Sequence, residues 1–508
     1  MKQQNNISHI KFIFLYTLFV YISSNIINYE KFTKWFYTKD IFDTTGFIAY
    51  IIVGFGLSLA LIIILSHRYT TKPLAIFTLF ASAFSTYFIS KFGVAIDTTM
   101  LENVIHTNTT ESLTLFSANI IPYILFLAVI PSYFVLKTNI VYDNFLKHTI
   151  KSILFLSLTI AVTLFFVYIK FNSLHLAGNR SGKYIAYQLI PLNFLSAILR
   201  ETKYYIKKNY IAPPKPIIIE ATRQKDKDLV VVLAVGESAR QQNFTLYGYK
   251  RDTNPLLMKQ KDLHILNGIA KYGSTIWALP QILSRNDIKL PSITNKVDIN
   301  SSCIVNFQMY GNCGVIKEQP VKQCSHNNKC YDEDVIPMLQ KELDQYKNGS
   351  KFTVLHIGAG SHGPLYNTRY PKEFQKFNPQ CLSADVMNNC TKQELYNSYD
   401  NTILYTDYVV SNIIDTLEKS KVPYIFIYVS DHGESLLEDG RVFHGMPPGI
   451  DLPYEQAHIP LLVKASVPIK IIKKDQYTQQ DIYDTILGLF DIDTDIIKKE
   501  NIFIKIKD

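Results

Sequence analysis

Five long apolar stretches, all before residue 172, restrict what this chain can fold into more than any other feature. They run approximately over residues 10–27, 47–66, 74–92, 118–136 and 153–169. Each is close to the ~20 residues that a helix needs to cross the apolar core of a bilayer. One such stretch could be a buried core helix, but five in succession, with polar breaks between them, favour membrane spans. The first has no small-residue cleavage site, so we predict an uncleaved anchor.

The charges of the connections between these stretches predict how the chain is oriented. Cations gather at the N-terminus and in the second and fourth connections: Lys2, Lys11, His67, Arg68, Lys72, Lys137, Lys147 and Lys151. The third connection carries three acidic residues and few cations, whereas the first, with three lysines, is a mild exception. Since cationic loops tend to stay in the cytoplasm, the N-terminus is predicted to be cytoplasmic. Everything after the fifth helix is then predicted to lie outside.

The cysteines support the same orientation. All six lie beyond residue 300, with short gaps between them: Cys303, Cys313, Cys324, Cys330, Cys381 and Cys390. An even number at short spacing is typical of local disulfides in an oxidising compartment. Pairing by proximity gives 303–313, 324–330 and 381–390, although six cysteines allow 15 connectivities. A zinc-ribbon site is the alternative, but the chain lacks the C-x2-C pair that such a site would use.

A chain of 508 residues is expected to form at least two structural units. We predict a transmembrane domain over residues 1–171, a bridge over 172–228 that contains a Pro-rich linker, and a soluble catalytic domain over 229–508. The apolar part of the bridge, 185–199, is either an amphipathic helix on the membrane surface or a connector helix packed on the soluble domain. The net charge of +9 comes without an Arg-rich stripe, which favours a membrane surface over nucleic acid as partner.

From residue 229 onward, short apolar runs alternate with helical patterns. The predicted strands are 229–235, 352–357, 424–429 and 459–463. This alternation indicates a three-layer α/β domain with a largely parallel sheet. The whole chain is therefore expected to join an all-α polytopic membrane domain to an α/β domain.

Two of the predicted strands end in side chains that bind metals. Asp431 and His432 follow one run, and Glu237 follows another. One imidazole with two carboxylates at the same edge of a sheet suits zinc, which in catalytic sites keeps a further position for water or substrate. His362 and His444 lie in turn-like sequence and are further candidates for a functional role.

Ser274 and Thr275 offer a nucleophile in a Gly-led turn before an apolar helical stretch. A hydroxyl at a helix N-terminus lies where free N–H groups would stabilise a phosphate. A metal bound to that hydroxyl would lower its pKa and make it a nucleophile near neutral pH. A turn of this kind is also typical of an ordinary helix N-cap.

Several motifs in a fixed order resemble the lipid A phosphoethanolamine transferases. They are residues 236–240 (GESAR), 243–255 (NFTLYGYKRDTNP), 361–364 (SHGP), 399–402 (YDNT), 430–435 (SDHGES) and 444–445 (HG). In the membrane part, residues 100–104 with Thr107 and Glu111 resemble the first large periplasmic loop of that family. The resemblance implies five membrane helices and a periplasmic sulfatase-like domain of the alkaline phosphatase superfamily. It also implies zinc and a threonine that is transiently phosphoethanolaminated.

Carried over to this chain, the resemblance assigns residues to three roles. Glu237, Asp431 and His432 would bind one zinc ion together with the nucleophile, which Thr275 matches by lying five residues before Pro280. His362 and His444 match histidines that hold the phosphoryl group or a second metal, and Asn103, Thr107 and Glu111 match loop residues implicated in lipid binding. The chain departs from many relatives in having no cysteines around the nucleophile and a turn one residue shorter before Pro280.

The implied activity is the transfer of phosphoethanolamine from phosphatidylethanolamine to lipid A or another lipopolysaccharide site. It would take place at the outer face of a bacterial inner membrane, and the chain is predicted to act as a monomer. A phosphoglycerol transferase of the lipoteichoic acid synthase type is one alternative, because it shares five helices and a threonine nucleophile. An inactive membrane sensor that only binds lipid is another. A hydrolytic sulfatase is disfavoured, because nothing resembles the cysteine-containing formylglycine motif.

Overall fold

Five helices of this protein are long and apolar enough to cross a membrane, as the sequence predicts. The structure is a computed structural model and describes residues 6–38, 40–94, 96–101, 118–181, 184–211, 220–306, 309–326, 329–358 and 360–507. The five spans are His9–Phe36, Thr44–Leu65, Thr71–Phe92, Ile120–Lys137 and Phe145–Ile169. The first begins with helix α1 (His9–Asn25), and the other four are α2 to α5 in chain order. The predicted loop residues Asn103, Thr107 and Glu111 lie outside the described residues.

The apolar part of the bridge packs on the membrane helices. After the short helix α6 (Phe171–Arg180), helix α7 (Leu192–Ile206) buries Phe194 and Leu195 in the same apolar cluster as residues of α1, α2 and α3. The ring of Phe194 lies 6.4 Å from that of Phe77 on α3. The apolar residues of this segment therefore pack within the first part of the chain. The helix is amphipathic, and its apolar face packs against the membrane helices.

By its contacts the chain divides into two compact units. One comprises residues 1–213 with 447–450, and the other residues 214–446 with 451–508. The second unit contains the main sheet and all six cysteines. We describe each unit by itself.

An eight-stranded sheet forms the centre of the second unit. Its strands are β1 (Leu229–Gly236), β2 (His264–Ile269), β3 (Asn300–Val305), β4 (Glu318–Pro320), β5 (Ser350–Ile357), β6 (Tyr424–Ser430), β7 (His458–Ala465) and β8 (Tyr477–Thr478). Their spatial order is β4-β3-β5-β1-β6-β7-β2-β8. Strand β7 is antiparallel to both of its neighbours, and the other five pairings are parallel. The largely parallel sheet is confirmed.

Helices cover both faces of this sheet. Along β1, Val231, Leu233 and Val235 point into one apolar cluster, whereas Val230 and Val232 point into the other. The two faces alternate because successive side chains of a strand point to opposite sides. The first cluster includes residues of α8 (Thr275–Leu283) and α11 (Gln479–Leu489), and the second includes residues of α9 (Ile336–Asp344) and α10 (Lys392–Ser420). The unit is thus the expected three-layer α/β domain.

The six cysteines form the three disulfides that proximity predicts, 303–313, 324–330 and 381–390. The zinc-ribbon alternative is therefore wrong. Cys303 lies in β3, a strand that the sequence patterns do not identify. Its first residues, Asn300, Ser301 and Ser302, are polar, so the run of apolar residues that would predict a buried strand is too short.

Candidate active site

The sheet brings Glu237 and Asp431 to one edge because the strands before them are parallel neighbours. Val235 pairs with Val429 and Gly236 with Ser430, so the two carboxylates follow at the same level. The backbone N–H of Asp431 donates to the carbonyl of Gly236 over 2.9 Å, which continues the ladder to the edge. His432 comes next along the chain, and all three side chains are buried. Ligand atoms of Glu237, Asp431 and His432 lie within 4.8 Å of one another.

Thr275 is the first residue of α8, and its hydroxyl reaches this cluster. The hydroxyl donates to Oε2 of Glu237 over 2.9 Å and lies 3.4 Å from Nε2 of His432. Ser274 is the N-cap of the helix, but its side chain makes no capping hydrogen bond. Of the two candidate hydroxyls, the structure therefore places that of Thr275 in contact with the carboxylate and the imidazole.

The hydrogen bonds of His432 and Asp431 leave electron pairs facing one another. Nδ1 of His432 lies 3.0 Å from the carbonyl of Gly433, which can only accept, so the proton of the neutral ring is on Nδ1. Nε2 then presents a lone pair 3.3 Å from Oδ2 of Asp431 and 3.5 Å from Oε1 of Glu237. Oδ1 of Asp431 accepts from the backbone of Ser238 and His432, whereas the buried Oδ2 has no hydrogen-bond partner. A cation between these atoms is the arrangement that would satisfy them.

The electrostatics of the cluster agree with this interpretation. Burial, together with the neighbouring carboxylate of Asp431, raises the pKa of Glu237. Two carboxylates in one buried site repel each other unless a positive charge lies between them. One imidazole, two carboxylates and a hydroxyl are a ligand set that zinc accepts in tetrahedral geometry. The residues present therefore fit a zinc ion.

His362 and His444 lie beside this cluster and form a second group with Glu237, again with ligand atoms within 4.8 Å of one another. The ring of His444 is 4.3 Å from that of His432 and 4.8 Å from that of His362, measured between centroids. Burial and the nearby His444 lower the pKa of His362 well below its ordinary value. Burial also opposes the charged form of His444, but the carboxylate of Glu434 outweighs it and raises the pKa to about 9.

Glu434 is a functional candidate to which the sequence patterns assign no role. Its Oε2 lies 2.6 Å from Nδ1 of His444, and its Oε1 accepts from the hydroxyl of Tyr366 over 2.8 Å. The side chain is fully buried, so these groups take the place of water as its hydrogen-bond partners. Its place directly after the Asp-His-Gly motif is the signal in the sequence, but only the fold shows that it holds His444.

The motifs that resemble the transferase family contact one another through Tyr399 and Asp400 of α10. The hydroxyl of Tyr399 donates to the carbonyl of Ser238 and accepts from the backbone N–H of Arg240, so it holds the loop that follows Glu237. Asp400 is buried and accepts from three side chains, those of Asn243, Tyr249 and Arg251. The segments 236–240, 243–255 and 399–402 thus form one hydrogen-bonded support for the site.

Gly433 allows the two loops of the site to approach closely. A Cβ atom at this position would lie 2.1 Å from the carbonyl oxygen of Glu455 and 3.1 Å from Cβ of Arg240. Because a backbone atom cannot move aside cheaply, we expect Gly433→Ala to destabilise the second unit by about 1–3 kcal/mol. It should also lower activity by displacing His432. Thermal unfolding and a transfer assay would check this. Gly178→Ala, where an added Cβ would meet no heavy atom within 4 Å outside the neighbouring backbone of its own helix, is the control and should lower neither.

Comparisons with known proteins agree on both parts of the chain. Residues 230–492 match the family model "Sulfatase", and residues 55–208 match the model "Phosphoethanolamine transferase EptA/EptB". The chain is 33% identical to phosphoethanolamine transferase EptA of Helicobacter pylori, over 80% of this chain and 79% of the relative. It is 29% identical to phosphatidylethanolamine transferase Mcr-1 of Escherichia coli, over 96% of each chain.

Among solved structures, the chain is similar to the integral membrane protein lipooligosaccharide phosphoethanolamine transferase A of Neisseria meningitidis. The similarity covers 98% of both chains, with a TM-score of 0.85 at 25% sequence identity. The likeness therefore extends over the membrane helices as well as the sheet-containing unit.

Proposed function

The chain belongs to the phosphoethanolamine transferase EptA family, and we propose that it moves phosphoethanolamine from phosphatidylethanolamine to lipid A or another lipopolysaccharide site. It is a multi-pass integral membrane protein and a phosphoethanolamine transferase. The donor, the acceptor and the roles of individual residues are what the proposal adds. The observation that carries it is the hydroxyl of Thr275, held 2.9 Å from a buried carboxylate within a cluster that fits zinc.

In the proposed mechanism Thr275 is the nucleophile. Its Oγ1 attacks the phosphorus of phosphatidylethanolamine, and the bond from phosphorus to the diacylglycerol oxygen breaks. Glu237, whose Oε2 already accepts from this hydroxyl, takes the proton as the Oγ1–P bond forms. The product is a phosphoethanolamine ester of Thr275, and diacylglycerol leaves. An acceptor hydroxyl or phosphate oxygen then attacks the phosphorus of this ester, the bond from phosphorus to Oγ1 breaks, and Thr275 takes back the proton from Glu237.

Zinc held by Glu237, Thr275, Asp431 and His432 would lower the pKa of the attacking hydroxyl and offset the charge that develops on the phosphoryl oxygens. His444, as an imidazolium paired with Glu434, is suited to protonate the departing diacylglycerol oxygen. Neutral His362 beside it can hold the phosphoryl group or a second zinc ion. Asn103, Thr107 and Glu111 remain candidates for lipid binding.

The proposed location is the bacterial inner membrane, with the N-terminus in the cytoplasm and the catalytic domain, residues 229–508, in the periplasm. Three disulfides in the second unit support an oxidising compartment. The cationic connections of the membrane part support the orientation. A membrane-bound monomer is sufficient, since both proposed substrates are lipids of the same bilayer surface.

Mass spectrometry of envelope lipids and glycans, with and without the gene, tests the proposal. Lipid A or lipopolysaccharide from cells with the gene should carry additional phosphoethanolamine, and the position of that group identifies the acceptor. A strain that expresses Thr275→Ala should match the strain without the gene. Unchanged phosphoethanolamine on every envelope component would overturn the proposed acceptor class.

Removing the partner of His444 should slow the reaction without unfolding the protein. In Glu434→Ala, His444 loses the carboxylate that lies 2.6 Å from its Nδ1. Changes in the groups that hold catalytic side chains and metal ligands typically cost 10–100-fold in activity or metal affinity, and we expect a fall in transfer rate of about that size. Tyr366→Phe, which removes one donor to Glu434, should have a smaller effect. Glu373→Ala, at an exposed position, is the control for loss of a carboxylate.

A further inference from the structure

A cluster of three aromatic rings, those of His9, Tyr142 and His148, lies in the unit that contains the membrane helices. It includes no residue of the candidate active site. The five spans alternate in direction, so the starts of α1, α3 and α5 lie at one membrane face. At that face residues 6–8 pair in parallel with residues 139–141. His9 and Tyr142 follow the two paired segments and so emerge at the same edge, and His148 lies in the first turn of α5.

The hydrogen bonds of His9 define which of its nitrogens carries the proton. The hydroxyl of Thr71 donates to the carbonyl of His67 over 2.8 Å, so its only proton is used there. Nε2 of His9 lies 3.0 Å from the same hydroxyl oxygen, and with that proton directed to the carbonyl it is the donor in this contact. Nδ1 therefore carries the lone pair of the neutral ring. His9 is only 3% exposed, and Nδ1 has no hydrogen-bond partner.

The rings around His9 are spaced closely enough for two of them to share one ion. The centroid of the His9 ring lies 4.7 Å from that of His148 and 4.8 Å from that of Tyr142. Two imidazoles that share one ion through metal–nitrogen bonds of about 2.1 Å have centroids roughly 5 Å apart. The planes of the two imidazoles are inclined by 57°, so the rings do not simply stack face to face.

We propose that His9 and His148 bind a divalent transition-metal ion, with Nδ1 of His9 as one ligand. Imidazole suits zinc, copper and nickel, and the tyrosine hydroxyl or water would complete the coordination. A bound ion would occupy the lone pair that the fold leaves buried, and a buried acceptor without a partner is otherwise unfavourable. The site uses none of the residues of the Glu237–Asp431–His432 cluster, so it stands independently of the proposed catalytic zinc.

The alternative is that the three rings only pack against one another. In that case His9 would contribute through its contact with Thr71 and its burial, and no ion would be held. A substitution that keeps the donor to Thr71 but removes Nδ1 separates the two interpretations. His9→Gln does this, because the amide nitrogen of glutamine can replace Nε2 as donor.

Metal counting on the full-length chain in detergent, with any affinity tag removed, tests the site. The protein is stripped with a chelator, equilibrated with zinc, passed through a desalting column and analysed for zinc per chain. Wild type should hold one ion more than His9→Gln and one more than His148→Ala. His175→Ala, which removes an exposed histidine of the same unit, is the matched control and should equal wild type.

Thermal unfolding in the same detergent provides a second readout. Zinc should raise the Tm of His148→Ala less than that of wild type, because one site fewer remains to be filled. His148 is partly exposed, so this variant is decisive if His9→Gln fails to fold. Equal zinc content and equal Tm response in wild type and His148→Ala would overturn the proposal, as would an equal loss of zinc in His175→Ala.

Discussion

Thr275→Ala is expected to abolish phosphoethanolamine transfer while the protein remains folded. The hydroxyl of Thr275 is the group of α8 that contacts both Glu237 and His432, so no neighbouring oxygen can replace it as nucleophile. Loss of a catalytic nucleophile in a hydrolase costs up to about 10⁶-fold in rate, and we expect a loss of at least about 10³-fold here. The measurement is headgroup transfer from labelled phosphatidylethanolamine by the purified chain in detergent.

Ser274→Ala is the matched control, because it removes the adjacent hydroxyl. Since the Ser274 side chain makes no capping hydrogen bond, its transfer rate should stay within a few-fold of wild type. Mass spectrometry after incubation with donor alone should find the phosphoethanolamine adduct on the peptide with Thr275. If Ser274→Ala is the inactive variant, or if the adduct lies on Ser274, the assignment of the nucleophile is wrong.

Asp431→Asn is expected to remove zinc and activity while making the metal-free protein more stable. Asparagine keeps Oδ1 as the acceptor for the backbone of Ser238 and His432. Its amide nitrogen takes the place of Oδ2, 3.3 Å from the lone pair on Nε2 of His432, and can donate to it. The substitution also removes one of the two buried carboxylates of the Glu237–Asp431–His432 cluster. The metal-free variant should therefore unfold at a higher temperature than the metal-free wild type.

Asp431→Asn should also lose the stabilisation that zinc gives to the wild type. Zinc at 100 times its Kd stabilises a protein that binds it only when folded by about 2.7 kcal/mol. In wild type this should raise the Tm of the second unit by several degrees, whereas in Asp431→Asn the rise from this site should disappear. Asp439→Asn is the control, since Asp439 is 81% exposed and belongs to no ligand group among the described residues. Zinc that stabilises Asp431→Asn as much as wild type would contradict the proposed ligand set.

The sequence is enough to predict much of the fold and the position of the site along it. The five spans follow from the length of apolar runs, because a bilayer fixes how long a spanning helix must be. The disulfides follow from proximity along the chain, since cysteines six to ten residues apart need little loop closure to meet. The proximity of Glu237 and Asp431 follows from the apolar runs 229–235 and 424–429, which the sequence predicts to be strands of a largely parallel sheet.

Other elements escape such patterns because their partners are distant along the chain. Strand β2 is not predicted because its polar and apolar residues neither alternate nor form an apolar run, yet it pairs with β7 from nearly 200 positions away. Helix α7 has an apolar face, but the sequence does not show which element packs against that face. In the structure the membrane helices do so. For α7 the amphipathic pattern specifies that one face is buried, but not which element it packs against.

The chemistry of the site divides in the same way. The sequence alone shows Glu237, Asp431 and His432 after predicted strands and Thr275 before a predicted helix. These residue types in these places are sufficient to indicate a metal site and a nucleophile. Only the tertiary structure decides that His432 turns Nε2 toward two carboxylates, that Glu434 holds His444, and that His9 is brought to His148. The physical reason is that proton positions and ligand contacts depend on distances of a few ångströms between segments far apart in the chain. Local preferences do not encode such distances, and packing sets them.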